Sequence, residues 1–210
     1  MFRILIPALF TALPVWAQGE PAGEFDYYVM ALSWTPNWCA LEGDRKKSDQ
    51  CDDDTGFGFT LHGVWPQFNV GWPSFCDTSA RSPSRRQTNA MADIMGSGGL
   101  AWYQWKKHGT CSGLPADDFY QLSRNAYGMI TRPQVFRDME KTYRVPSKLV
   151  KNAFLDANPD LAAENIQVTC KNDAIQEVRI CLSKDLKYTR CTFPVRSTCG
   201  IQAQTMTPIR

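Results

Sequence analysis

The sequence predicts an α+β fold with strands at the two ends of the chain and helices in the middle. Three observations carry this. Runs with a period of two occupy residues 26–33 and 57–62, and apolar strand-like runs return between 166 and 182. Segments with helical spacing fill the stretch from 97 to 157. Strand and helix do not alternate, which excludes a doubly wound parallel sheet. The chain has 210 residues, 43% of them hydrophobic and 12% aromatic, enough for one sizeable core, so a single domain over residues 18–210 is expected.

The first 17 residues stand apart. Met1-Phe2-Arg3 is followed by an apolar stretch from Ile4 to Trp16, and Val15 and Ala17 occupy the two positions a signal peptidase inspects. A leader cleaved after Ala17 is expected, and with it a periplasmic or extracellular protein. Pro7, Pro14 and a length short of the roughly 20 residues of a spanning helix argue against a membrane anchor. The cysteines agree with export: Cys39, Cys51, Cys76, Cys111, Cys170, Cys181, Cys191 and Cys199 make an even set of eight. Four bridges are the natural reading. A zinc site is the alternative, but no pair has Cys-x-x-Cys spacing. By themselves, eight cysteines leave on the order of 100 pairings open.

Each element follows from its pattern. Tyr28, Met30 and Leu32 alternate with Tyr27, Val29 and Ala31, apolar on both faces, so Asp26–Ser33 reads as a buried strand ending in a Trp34-Thr35-Pro36 turn. Phe57, Phe59 and Leu61 alternate with Gly58, Thr60 and His62, which turns His62 away from the Phe row. Gly71–Ser84, rich in Pro, Ser and Gly, reads as an exposed loop. Ser97-Gly98-Gly99 precedes a helix through Lys107, a second helix spans Ala116–Tyr127, and a third, Ser147–Ala157, starts at a Ser cap. Ile166–Thr169 and Ile175–Leu182 read as strands, followed by a cysteine-bounded loop and a polar tail.

Charge does not announce a nucleic-acid binder. There are 23 basic and 21 acidic residues, net +2, and loss of Arg3 with the leader leaves +1. A protein held to nucleic acid by counterion release usually carries a denser basic stripe, so any nucleic acid is gripped locally. The chemistry points instead to two histidines, the chain's full complement, each followed by glycine: Leu61-His62-Gly63-Val64-Trp65-Pro66 and Lys107-His108-Gly109-Thr110-Cys111. One histidine alone is usually structural; two in such settings favour a site. Helical rotation puts Tyr103, Gln104, Lys107 and His108 within an arc of about 140°, with Trp102 and Trp105 turned toward the core. Two imidazoles can act as acid and base at one pH, and a neighbouring Lys can neutralise a phosphoryl oxygen, which suits phosphodiester transfer. No GxxxxGK[ST] loop or GxSxG elbow occurs, and two histidines make a poor transition-metal site.

The segments Phe59-Thr60-Leu61-His62-Gly63-Val64-Trp65-Pro66 and Trp105-Lys106-Lys107-His108-Gly109-Thr110-Cys111 resemble the two active-site segments of the T2 ribonuclease family. Ala31-Leu32-Ser33-Trp34-Thr35-Pro36 and the late cysteines extend the similarity over nearly the whole mature chain. The resemblance implies one antiparallel sheet packed against several helices, stapled by Cys39–Cys51, Cys76–Cys111, Cys170–Cys199 and Cys181–Cys191. It implies cleavage of single-stranded RNA through a 2′,3′-cyclic phosphate, with no metal and no cofactor. His108 would be the general base, His62 the general acid and Lys107 the cation at the phosphoryl group. Gln104 stands where the family has Glu, and Tyr103 where it has His. Trp65 matches a base-contacting tryptophan, and Gln67 lies where relatives often have an acidic base-reading residue. Single-stranded RNA is the partner implied, for a monomer with no membrane or protein partner. The departures at Tyr103 and Gln104 keep one rival open, a catalytically weak or silent RNA-binding module on the same fold. A disulfide-stapled interaction domain with structural histidines is a second.

Overall fold

A computed structural model describes residues 20–192 and 199–210; the expected leader at 1–17 and part of the loop before Cys199 lie outside the described residues. The strand that is apolar on both faces, β1 (Tyr27–Trp34), sits inside a sheet. It pairs antiparallel with β2 (Phe59–Gln67) on one side and with β5 (Ala174–Leu182) on the other. β4 (Ile166–Lys171) pairs antiparallel with β5, and two short strands, β3 (Tyr143–Val145) and β6 (Gln204–Met206), complete the order β2-β1-β5-β6-β3. β2 lies at the edge, where the missing N–H of Pro66 costs no ladder bond. One bridge, Ala174 to Thr205, is parallel in this otherwise antiparallel sheet.

One face of the sheet is core. Tyr28, Met30, Leu32 and Trp34 from β1 join Phe59, Leu61 and Val64 from β2 against Trp105, Phe119, Tyr120 and Phe154 of the helices. These helices are α4 (Gly98–Lys107), α5 (Ala116–Gly128) and α6 (Ser147–Ala157). Ser97 caps α4 as its sequence promises, its Oγ accepting from Leu100 N at 3.1 Å. No helix among the described residues is long and apolar enough to cross a membrane. All four disulfides named above are present: Cys39–Cys51, Cys76–Cys111, Cys170–Cys199 and Cys181–Cys191.

Several local readings are corrected. The segment after Trp34 is a short helix, α1 (Thr35–Trp38), continuing into a π-turn, because Pro36 fits the first turn of a helix as readily as a β-turn. Ser84 builds a capping box with Gln87 and starts α2 (Arg85–Asn89), followed by α3 (Ala92–Met95), helices not expected from the sequence. Ser147 does not cap α6; Pro146 occupies the cap position and no side chain bonds there. The polar tail enters the sheet as β6, where Gln204 and Met206 are buried and Asn37 Nδ2 donates to the carbonyls of Ile175 and Thr205. That pairing is long-range and leaves no mark on local pattern.

Candidate active site

The site lies on the other face of the sheet and depends on one irregularity. Pairing runs from Leu32–Leu61 directly to Ala31–Gly63, so His62 is an extra residue in β2. Strict alternation would put His62 and Trp65, an odd number of residues apart, on opposite faces. The bulge removes that parity and leaves His62, Trp65 and Gln67 facing the same way.

His62 projects toward β5. Its Nδ1 lies 2.5 Å from Oε1 of Glu177, which is 1% exposed, and the other carboxylate oxygen accepts from Arg179 Nε at 2.8 Å. Burial pushes this carboxyl up, but the His62 ring and the Arg179 guanidinium together hold it down at about 2. The acid is therefore ionised and can only accept, so His62 Nδ1 carries the donated proton and Nε2 is the nitrogen left for chemistry.

His108 ends α4, against the sheet, and is 6% exposed. Its Nδ1 is buried with no hydrogen-bond partner among the described residues, so nothing on that side offsets the desolvation of a charged ring. Burial above all, then the charges of Lys107 and His62, push its pKa down to about 3. The two imidazoles thus sit in opposite settings: one is buried and neutral, the other is paired with a buried carboxylate.

Trp65 lies between them. Its ring centroid is 5.2 Å from each histidine, stacked on His108 at 30° and edge-on to His62 at 82°. Its Nε1 donates to Gln104 Oε1 at 2.7 Å, and the Arg179 guanidinium lies 5.2 Å from the ring centroid. The glycine after each histidine now has a reason. A Cβ at Gly63 would fall 2.4 Å from both Gln104 Oε1 and Trp65 Nε1, and one at Gly109 would fall 2.5 Å from the Trp105 ring. Only a residue without a side chain admits these contacts.

Of the residues singled out by sequence, His62, Trp65, Gln104 and His108 are in direct contact as one cluster, and Lys107 is close enough for its charge to act on His108. Gln67 shares the face but is buried, with its amide donating to the Pro66 carbonyl. Tyr103 is 44% exposed. Two expectations for α4 are corrected. Gln104 is buried rather than on an open polar face, drawn in by Trp65, and Trp102 is 45% exposed with Lys106 over its ring, because the helix buries only a narrow stripe. A cleft of about 380 Å³ opens beside His62, bounded by Ser33, Gln50, Thr60, Ser97 and Glu177 among others.

Glu177 and Arg179 belong to the site although the motifs around the two histidines do not include them. The signal was there: two charges two residues apart in an apolar run, on the face opposite Val178 and Ile180. A strand buried on both faces rarely carries a carboxylate without a partner.

The Ribonuclease T2 family model matches residues 25–191. A ribonuclease of Aeromonas hydrophila is 36% identical over 187 residues, covering 81% of this chain and 77% of the relative. A probable ribonuclease of Haemophilus influenzae is 26% identical over 157 residues, 63% of this chain and 54% of the relative, so the chain spans about half of that protein. Among solved structures, an RNase-related protein from Calystegia sepium superposes with a TM-score of 0.66 at 23% identity, over 89% of this chain and 98% of the other.

Proposed function

The chain belongs to the ribonuclease T2 family and is an endoribonuclease; from that premise we propose that it cleaves single-stranded RNA with His108 as base and His62 as acid. The observation that carries the assignment is the contrast between the two rings across Trp65. His108, kept neutral by burial, takes the proton of the 2′-hydroxyl as that oxygen attacks phosphorus. His62, its Nδ1–H held by Glu177, gives its Nε2 proton to the 5′-oxygen as the P–O5′ bond breaks. The products are a 2′,3′-cyclic phosphate and a free 5′-hydroxyl. Lys107 offsets the charge gathering on the phosphoryl oxygens.

Trp65 offers its ring to a base, a contact that any base can make, so base preference is broad. The Tyr103 hydroxyl is available to a phosphate, and Gln67 flanks the same face as Trp65. Four disulfides suit an oxidising compartment, in keeping with a leader at 1–17 and export of a monomeric domain over 18–210.

The test is a purified protein assayed on RNA and on DNA in EDTA. RNA is expected to be cut with a 2′,3′-cyclic phosphate as the early product, and DNA, lacking the nucleophile, to stay intact. Cleavage of DNA, or dependence on added divalent ions, rules the proposal out. RNA bound without being cut would favour the silent module.

Gln104 supplies a smaller prediction. Its Oε1 is committed to Trp65, and a glutamate keeps that acceptor while replacing the amide with a carboxyl. Burial disfavours the charged carboxylate, so the carboxyl keeps its proton to a higher pH than a free one and at acid pH can donate to a phosphoryl oxygen. Gln104→Glu is expected to raise kcat/KM at acid pH by up to about tenfold, less than the effect of a whole transition-state donor. A variant slower than the native enzyme from pH 4 to 8 would mean that the site has adapted to the amide.

A further inference from the structure

We propose that Glu177 is the positioning residue for His62, and that Arg179 seats it. The inference rests on His62 being the general acid. Glu177 stands on β5 between β1 and β4, with Ser33 and Thr169 as its neighbours in register. A carboxylate 1% exposed in the middle of a sheet is costly to desolvate and is tolerated only when its oxygens are taken. Both are: one accepts from His62 Nδ1 at 2.5 Å, the other from Arg179 Nε at 2.8 Å. The position has no packing need that an apolar residue could not meet, since Val178 and Ile180, on the opposite face, already supply core.

The geometry gives Glu177 two tasks, neither involving contact with RNA. By accepting from Nδ1 it fixes the tautomer and ring plane of His62, so that Nε2 alone presents a proton to the leaving oxygen. It also stands opposite the charge of the ring when both nitrogens are protonated, the form in which an acid must wait. Arg179 extends the arrangement, because the guanidinium that binds Glu177 also lies against Trp65, which in turn stacks on His108. His62, on a bulge, has no regular ladder to orient it, and the carboxylate supplies the missing constraint.

A residue that acts only through the acid should matter only where the acid is needed. The experiment compares two substrates of the purified enzyme: a dinucleoside phosphate, whose 5′-alkoxide must be protonated, and a nucleoside 3′-(4-nitrophenyl phosphate), whose leaving group departs unaided. Glu177→Gln is expected to lower kcat on the first by about 10- to 100-fold, by analogy with the loss seen when a partner that orients a metal-binding imidazole is removed. On the second it should stay within about threefold of native. Equal losses on both, or none on either, overturn the proposal. His62→Ala runs alongside: a selective loss there without one in Glu177→Gln defeats the positioning role alone, whereas no selectivity in His62→Ala defeats the acid assignment and the proposal with it. Should Glu177→Gln fail to fold, the native protein still decides. It has two histidines, so ¹⁵N-resolved NMR can assign the His62 ring, which must be the Nδ1–H tautomer when neutral. An Nε2–H ring overturns the proposal.

Discussion

Replacing His108 with alanine lowers kcat/KM on a dinucleoside phosphate by about 10² to 10⁴, and His62→Ala does the same, the usual loss for a positioned base or acid. The pH profiles separate the two. If His108 is the base, as proposed, the acid limb of the native enzyme reports its protonation, and because burial holds that ring down at about 3, activity should persist well below the ordinary histidine value of 6.5. His108→Ala removes the acid limb and His62→Ala the alkaline one. The same burial has a sign in stability. In the unfolded chain His108 binds its proton near 6.5 and in the folded one only near 3, so stability falls as pH drops through that window. His108→Ala should flatten this fall between pH 6.5 and 3 even as it removes activity. Near-native turnover in either variant would sink the assigned pair.

What sequence could and could not reveal follows from the range of the interactions. The β1 strand, apolar on both faces, and α4, capped by Ser97, are written in nearest-neighbour pattern and appear where expected. His62 and His108 were found because only two histidines exist and each precedes a glycine, and the structure ties both glycines to close contacts with aromatic rings. The bulge was not legible. It arises from pairing between β1 and β2, and without it period-two reasoning separates His62 from Trp65. Glu177 was missed for a related reason: its partner His62 is 115 residues away, and only the sheet brings the two strands within one residue's reach. β3 and β6 pair with each other across about 60 residues and are too short to show a period. Helical rotation puts Gln104 on the correct turn of α4 but cannot show its environment, since no helical wheel reveals that an indole from β2 draws the amide inward.

The other large effect concerns Cys76 and Cys111. Their bridge closes a segment with a sequence separation of 35 that contains α2, α3 and α4, and so carries Gln104, Lys107 and His108. Removing that constraint frees the unfolded chain, a loss of about 4 kcal/mol of stability in the chain-entropy model. For a chain of this size the melting temperature of Cys76→Ala/Cys111→Ala should fall by about 8 to 16 °C. The native surroundings would feel the loss as well. Cys111 N donates to the His108 carbonyl at 3.0 Å and Phe75 N to the Lys107 carbonyl at 2.8 Å, so the bridge clasps the end of α4 from both sides of its last turn. Heating should therefore silence the variant before its global transition, as the α4 terminus frays and His108 leaves the Trp65 ring. Cys39–Cys51 is the control. Its separation is only 12, its loss costs about 1 kcal/mol less, and the segment it closes, which includes the π-turn after α1, carries neither histidine. Removing it should lower the melting temperature while activity tracks the fraction folded. Circular dichroism melts paired with RNA cleavage rates at each temperature would decide. A Cys76→Ala/Cys111→Ala protein melting within about 2 °C of native, or losing activity only in step with unfolding, would show that the bridge does not hold the segment carrying His108 in place.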